Sequence, residues 1–525
     1  MQAIESEQHR TAEAVASDYP TPPELHIAAW NALVKIGTVT APHLLVRIGS
    51  PSQSEESQDH SSSTQPAQQQ LNDFYRRAVW APDGSSLLAV TESQQKHVFR
   101  CSRTGENGRS KLELRFKLKS PSPLLDAVWY SLPALEQPTT DGQATDEQPV
   151  VSNTTWCFAE SHRDLPIRLT ASDDGRTRAS YSIMNHVERF VGPHSLAFSP
   201  DLSRLYCGLY SSLAVFPLST PGLNTHSPVL LTSGKRSVGG QRGIVSSLAA
   251  TGHPSDPAHE LVAVGTFDAT VAIYSFDPTR FPEPTDHTAA RTAASTDQES
   301  LAQRSCLAGW REVEGDGITQ LKFHPLSPYV LFVASRRLDY IYVYDTRYLM
   351  GDVTRWTFRP LAQSGAGVRS AHLLAKLRRP GGATHQRIYF DVDWAGRWLA
   401  TGDEHGMIYV WRIDTGRFVD QPDVEADGPQ EFEMTPDLSW KAHQDAVGSV
   451  SFHPYEPFLV SVSGSRHWPD LRSASSSESE EESDNSDSSR ASESEDATSS
   501  RRAWTTNDSS LQVWDFSEPP TGSAS

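Results

Sequence analysis

The chain has 525 residues, a formal net charge of −19 and 37% hydrophobic residues. That length is ample for a large core, but the low apolar share implies that part of the chain stays outside it. The acidic balance excludes a uniformly basic nucleic-acid-binding surface and leaves room only for a local basic patch.

No apolar run is long enough for a membrane-spanning helix, and the first residues, MQAIESEQHRTAEA, carry no apolar signal core. No membrane partner is expected. Cys101, Cys157, Cys207 and Cys306 are scattered, with no C-x-x-C. They read as small buried residues of a protein kept in a reducing compartment.

In chain order, residues 1–25 read as disordered. Residues 26–50 contain one apolar stretch, PHLLVRIG at Pro42–Gly49, which reads as a strand. Residues 51–70 are Ser-, Gln- and Glu-rich and read as a flexible linker. From 71 to 519 one plan recurs: an apolar strand, a Pro/Asp/Gly turn, a second apolar strand, a tight turn, and a third strand ending in an aromatic. The copies are RAVWAPDG/SLLAVTE/HVFRC from Arg77, a weaker DAVWYSLPA/WCFAESH/PIRLTAS from Asp126, and HSLAFSPD/RLYCGLY/LAVFPL from His194. GIVSSLAATG/ELVAVGT/TVAIYSFD follows from Gly243, GITQLKFHP/YVLFVAS/YIYVYDTR from Gly317, and RIYFDVDWAG/RWLATGD/MIYVWRID from Arg387. In the last copy, AVGSVSFHP and FLVSVSG run from Ala446 to Gly464, and SLQVWDF returns only at Ser510.

Seven such units predict an all-β fold, a seven-bladed WD-repeat β-propeller with a disordered N-terminus and acidic loop insertions. The last unit lacks an outer strand, and PHLLVRIG is the expected donor that closes the ring. Residues 136–148, 282–303, 416–428 and 470–502 read as insertions, and 520–525 as a tail. The 470–502 insertion is nearly all Ser and acid at its centre, so it reads as disordered. Its charge favours basic protein tails as partners there.

WD repeats often place an Asp six residues before the aromatic of the third strand, where it pins a turn. Asp508 precedes Trp514 by six, Asp268 precedes Tyr274 by six, His405 precedes Trp411 by six, and Asp339 precedes Tyr344 by five. These are expected to be buried structural groups. His324 and His453 each precede a Pro in equivalent turns and read as repeat features. No H-E-x-x-H, G-x-S-x-G or Walker A pattern is present, and SGKRS at Ser233 lacks the upstream glycine of a phosphate loop. The expectation is therefore no enzyme and no cofactor or metal. Basic clusters occur at Arg336–Arg337, at Lys376–Arg379 (including Arg378 and Arg379) and at Arg501–Arg502, where guanidinium groups could hold phosphate.

Particular strings are more specific than the repeat. RTRASYSIMNHVERFVGPHSLAFSPDLSRLYCGLYSSLAVFPLSTPG from Arg176 resembles the telomerase Cajal body protein family. So do HQRIYFDVDWAGRWLATG from His385, FYRRAVWAPDG from Phe74, GIVSSLA, GITQLKFHP, and SVSFHPYEPFLVSVSGSRHWP from Ser449. The resemblance, to a fungal-type or divergent member, covers most of residues 74–516. It implies a non-enzymatic, nuclear propeller that binds small nuclear or telomerase RNA with their core proteins. It further implies that the propeller directs their assembly or localisation, with residence in the cytoplasm left open. Fungal relatives imply a pre-mRNA splicing link, so an alternative is a protein–protein adaptor without RNA contact. Phe74 and Arg387 stand at family-matching positions. With Arg336, Arg337, Arg378 and Arg379 they are the candidate RNA or partner contacts.

Overall fold

The computed structural model describes residue 36 and residues 42–51, 73–104, 109–131, 156–232, 240–281, 305–312, 314–346, 372–413, 433–468 and 504–517. The expected segments at 1–25 and 52–70, the insertions at 136–148, 282–303, 416–428 and 470–502, and the tail lie outside them. So do Arg501, Arg502 and the SGKRS string.

The described strands form seven sheets, each a four-stranded blade at its core. Blade 1 contains Tyr75–Trp80, Ser86–Thr91, Gln95–Thr104 and Arg109–Lys119. Blade 2 contains Leu124–Ser131, Trp156–His162, Ile167–Ala171 and Thr177–Ser182. Blades 3 and 4 begin at Ser195 and Val245, blade 5 at Ile318, blade 6 at Asp391 and blade 7 at Val447. Neighbouring strands within each blade run antiparallel, as an up-and-down meander requires. Blades 2 and 5 carry a short fifth strand on the outside, and both of those pair in parallel.

The second strand of a blade is sandwiched between two neighbours, so its residues do not alternate. All of Ser86–Thr91, Glu260–Thr266, Val330–Ser335 and Phe458–Ser463 are buried. This explains the near-continuous apolar runs in the sequence. The core is therefore seven layers, each shared by two blades. Val330 and Phe332 of blade 5 pack with Phe390 and Trp411 of blade 6, and Tyr75 and Trp80 of blade 1 pack with Val460 and Leu511 of blade 7.

Blade 7 takes its outer strand from the other end of the chain. His43–Ile48 pairs antiparallel with Leu511–Asp515, aligning Leu44 with Trp514 and Ile48 with Leu511. Leu45, Val46 and Ile48 pack against the layer between blades 7 and 1.

Two repeat histidines join the turns between first and second strands of adjacent blades. His324 Nδ1 accepts from the backbone N–H of Ser327 at 2.9 Å while its Nε2 meets the Gly396 carbonyl at 3.0 Å. His453 does the same with Glu456 N–H at 2.9 Å and the Gly84 carbonyl at 3.2 Å. Both rings act as neutral tautomers that accept at Nδ1 and donate at Nε2. Gly396 (φ +71°) and Gly84 (φ +69°) sit beneath those rings, and a Cβ at either would overlap the imidazole at 2.4 Å or less. Positive φ and close approach both require glycine there.

The expected turn aspartates divide. Asp508 is buried and forms a complete four-residue network in blade 7. Its carboxylate meets His443 Nδ1 at 3.2 Å, His443 Nε2 meets Ser461 Oγ at 2.7 Å, and Trp514 Nε1 donates to Ser461 Oγ at 2.9 Å. Burial would raise the Asp508 carboxyl, but hydrogen bonds from His443, Ser510 and the Gln444 N–H hold it far below the usual carboxylate range. Asp268 and His405 are exposed instead, and Asp339 is only half-buried. In blade 6 the pinning pair lies two residues earlier: Asp403 accepts from His405 N–H and Met407 N–H at 2.8 Å each, and from Tyr409 Oη at 3.0 Å. In blade 4 Gln241 bridges Thr270 and Tyr274 in place of a histidine–aspartate pair.

Candidate functional site

The first strands of the blades surround the central channel, and their polar side chains bond across every blade junction. Arg77 pairs with Asp126 at 2.8 Å, and Asp126 accepts from Leu196 N–H at 2.8 Å. Ser195 Oγ donates to the Val245 carbonyl at 2.9 Å and Ser246 Oγ to the Ile318 carbonyl at 2.5 Å. Gln320 exchanges two bonds with the Phe390 backbone, Asp391 accepts from Phe452 N–H at 2.9 Å, and Ser449 Oγ accepts from Ala78 N–H at 2.8 Å. This closed hoop accounts for the polar residues inside the RRAVW, DAVW, HSLAF, IVSSL, ITQL, YFDVD and VGSVSF strings. They hold the ring together, because an unpaired buried polar group would cost about 1–3 kcal/mol.

Arg387 belongs to the hoop. Its guanidinium donates to the Thr319 carbonyl and, at 3.0 Å, to the Ser246 carbonyl, so it ties blade 6 to blades 5 and 4. It also lies over the Tyr389 ring at 4.8 Å, with Arg77 over the same ring at 4.5 Å. Phe74 is buried, edge-on to Trp504 at 5.8 Å and packed against Gly464. Gln386 donates to the Gly464 carbonyl at 2.9 Å, so the Phe74, HQRIYFD and SGSRHWP strings meet at one end of the channel. This is the face formed by the starts of the first and third strands and the ends of the second and fourth.

The other candidates also lie on that face, but not in one cluster. Arg337 is exposed, sits at φ +60° and pairs with Asp316 at 2.9 Å. Arg336 is half-buried over the Phe267 ring at 5.9 Å. Through Arg337 N–H to the Thr384 carbonyl, this turn adjoins the segment that carries Arg387. Arg378 is exposed on the outermost four-strand edge of blade 5 and pairs with Glu433 at 3.3 Å. Arg379, next to it, is buried at 2% exposure. Burial, opposed by Asp339 and Asp403, pushes its pKa down to about 10.

The same face holds a cluster that sequence reasoning passed over. Ser465 to Trp468 enter the 469–503 segment and Trp504 to Asn507 leave it. The backbones of His467 and Thr505 exchange two bonds, at 2.8 and 2.9 Å. Asp445 staples both sides, accepting from Ser465 Oγ at 2.6 Å and His467 Nε2 at 2.9 Å on one, and from Asn507 N–H at 2.9 Å on the other. Beside this neck, Trp468 is 54% exposed. Arg466 lies over the Trp504 ring at 5.4 Å, and Glu92 is gripped by Arg466 and, at 3.2 Å, by Arg76. Both arginine side chains are about half exposed. Chemically this is an aromatic and guanidinium platform: flat rings for stacking, and fork-shaped donors for phosphate or carboxylate, with Glu92 as the internal anion a ligand would displace. The legible signal was a pair of tryptophans flanking an insertion inside a blade turn.

Among the described residues, no group of three or more His, Cys, Asp and Glu side chains converges to hold a metal ion. Cys157, Cys207 and Cys306 are buried and Cys101 half-buried, all as free thiols.

A family model for the WD domain, G-beta repeat, matches residues 434–467, which span the start of blade 7 and its His443 and Ser461 network. The chain is 29% identical over 402 residues to telomerase Cajal body protein 1 of Mesocricetus auratus, covering 76% of this chain and 59% of that protein. It is 28% identical over 414 residues to the protein of that name from Homo sapiens.

The chain is similar to the telomerase Cajal body proteins over about three quarters of its length.

It spans 59% of the length of those animal relatives. It is also 27% identical, over 348 residues, to the guanine nucleotide-binding protein negative regulator 1 of Schizosaccharomyces pombe, of which it covers 70%.

Proposed function

We propose that this relative of the telomerase Cajal body proteins is a non-enzymatic nuclear scaffold. It binds small nuclear, Cajal-body-type or telomerase RNA together with their core proteins, and directs the assembly or localisation of those particles. The observation that carries this reading is the Arg76, Arg466, Trp468 and Trp504 platform at the channel mouth. One exposed indole, Trp468, and the half-buried Trp504 beside half-exposed guanidinium groups suit unpaired bases and their phosphates, the features by which single-stranded RNA is recognised. The channel residues are already committed to the hoop, which argues for a scaffold over a reaction centre. Arg336 and Arg337 extend the basic rim on the same face. The acidic 470–502 insertion, which continues from the stapled neck, would attract basic protein tails beside the RNA platform.

The fission yeast relative, whose name describes a regulator of another protein, favours a second reading: a protein–protein adaptor, for example in splicing, without RNA contact. Crosslinking in cells followed by sequencing of attached RNA separates the two. The scaffold reading expects a defined small RNA attached directly to this chain; the adaptor reading expects neighbouring proteins and no direct adduct.

A further inference from the structure

The outer strand of blade 1, Arg109–Lys119, is the longest strand at the rim. It has 11 residues, against 4 to 7 for the fourth strands of the other blades. Its sequence, RSKLELRFKLK, carries five cations and one carboxylate. Lys111, Arg115 and Lys119 are exposed, as is Leu114 at 41%. Glu113 is held by Lys111 at 2.7 Å, which leaves the strand's charge strongly positive. Among the described residues this strand is terminal in its sheet, so none of them pairs with the outward side of its backbone.

Elsewhere the same molecule shows how such an edge is covered. Blade 5 ends in His372–Arg378, and a short strand, Glu433–Met434, adds to it in parallel, aligning Lys376 with Glu433. Glu433 then pairs with Arg378 at 3.3 Å and reaches Tyr340 Oη at 3.5 Å. An acidic extended segment on a basic outer strand is therefore a pairing this fold already makes within itself. Blade 2 takes a fifth strand at Gly222–Leu223 in the same sense.

We propose that the outer edge of blade 1 binds an acidic, extended segment of a partner protein, which adds to the sheet as a fifth strand. Main-chain bonds along Arg109–Lys119 supply affinity, as strand addition to an open edge requires. The register shift at Arg115 puts Lys117 and Lys119 on one face and Lys111 on the other, so carboxylates on both faces of the added strand find a cation. The cations also keep the edges of two copies apart, so the edge selects an acidic strand and rejects its own kind. This site is separate from the channel mouth and stands whether or not RNA binds there.

The test uses the full chain and a fluorescent peptide alternating Glu with Val and Thr. Controls are the same composition with Pro at alternate positions, and oligouridylate. Saturable, salt-sensitive binding of the alternating peptide is expected, with slowed amide exchange confined to 109–119. The combined K111E, R115E and K119E variant should bind at least about tenfold more weakly at unchanged melting temperature. Exchange in the unaltered protein provides an independent reading should that variant fold poorly. The proposal is overturned if the alternating peptide protects no amide of 109–119, if the Pro-containing control binds equally, or if oligouridylate is preferred at this edge.

Discussion

Removing residues 1–50 takes away the strand that closes the ring. His43–Ile48 forms five aligned pairs with Leu511–Asp515 and half-buries Leu45, Val46 and Ile48 between blades 7 and 1. Four or five ladder bonds at about 1 kcal/mol each, with three half-buried aliphatic side chains at about 1 kcal/mol each, total roughly 7 kcal/mol. That is comparable to the whole stability of a typical domain, about 5–15 kcal/mol. The outward edge of Leu511–Asp515 is exposed as well, and an open, apolar edge invites association. Thermal unfolding followed by circular dichroism, with light scattering on a sizing column, should therefore show a melting point lower by at least about 10 °C or outright aggregation. A truncation of residues 1–35 is the control, because it retains the closing strand and Ile36, which is buried between blades 6 and 7. A monomeric 1–50 truncation with unchanged melting would refute the closure account.

Ser461→Ala strips the shared oxygen from His443 and Trp514, and should cost about 2 kcal/mol in denaturant titration; a loss below about 0.5 kcal/mol would mean that the blade 7 network contributes little. Arg387→Ala removes the donors to the Thr319 and Ser246 carbonyls, so a measurably lower melting point is expected. A variant of normal stability that loses RNA would instead make Arg387 a contact residue. Replacing 470–502 with a short Gly/Ser linker should leave the melting point within a few degrees, because Asp445 and the His467–Thr505 pairing close the neck without it and loop-closure entropy varies slowly with length. Binding to a basic partner should weaken and lose salt sensitivity in that variant, and a large drop in stability would show that the insertion packs on the propeller.

The blades were legible because each second strand is apolar on both faces and each turn is marked by Pro, Asp or Gly. The closing strand was legible because a meander with one strand missing must find it elsewhere. Turn aspartates were harder: the six-residue spacing found Asp508 but pointed to His405 and Trp411 in blade 6, where Asp403 and Tyr409 carry the pairing. Two aromatics two residues apart on one strand, Tyr409 and Trp411, satisfy the same pattern and both are buried; only the burial of Asp403 against the exposure of His405 shows which pair pins the turn. At the site, Arg387 and Phe74 stood out as unusual strings, yet both are held in packing or inter-blade bonds. Arg466, Trp468 and Arg76 were passed over because their proximity depends on blade 7 meeting blade 1 across the ring closure, a contact between residues nearly four hundred positions apart.

The central claim is that RNA meets this propeller at the mouth between blades 7 and 1. Ultraviolet crosslinking of the purified full chain to its co-purifying RNA, with adducts located by mass spectrometry, tests it most directly. Adducts should fall on the peptides containing Trp468 and Trp504, and should be lost in a variant combining R466A and W468A that melts like the parent. Absence of adducts from those peptides, or RNA attachment that survives the paired substitution, would contradict the account.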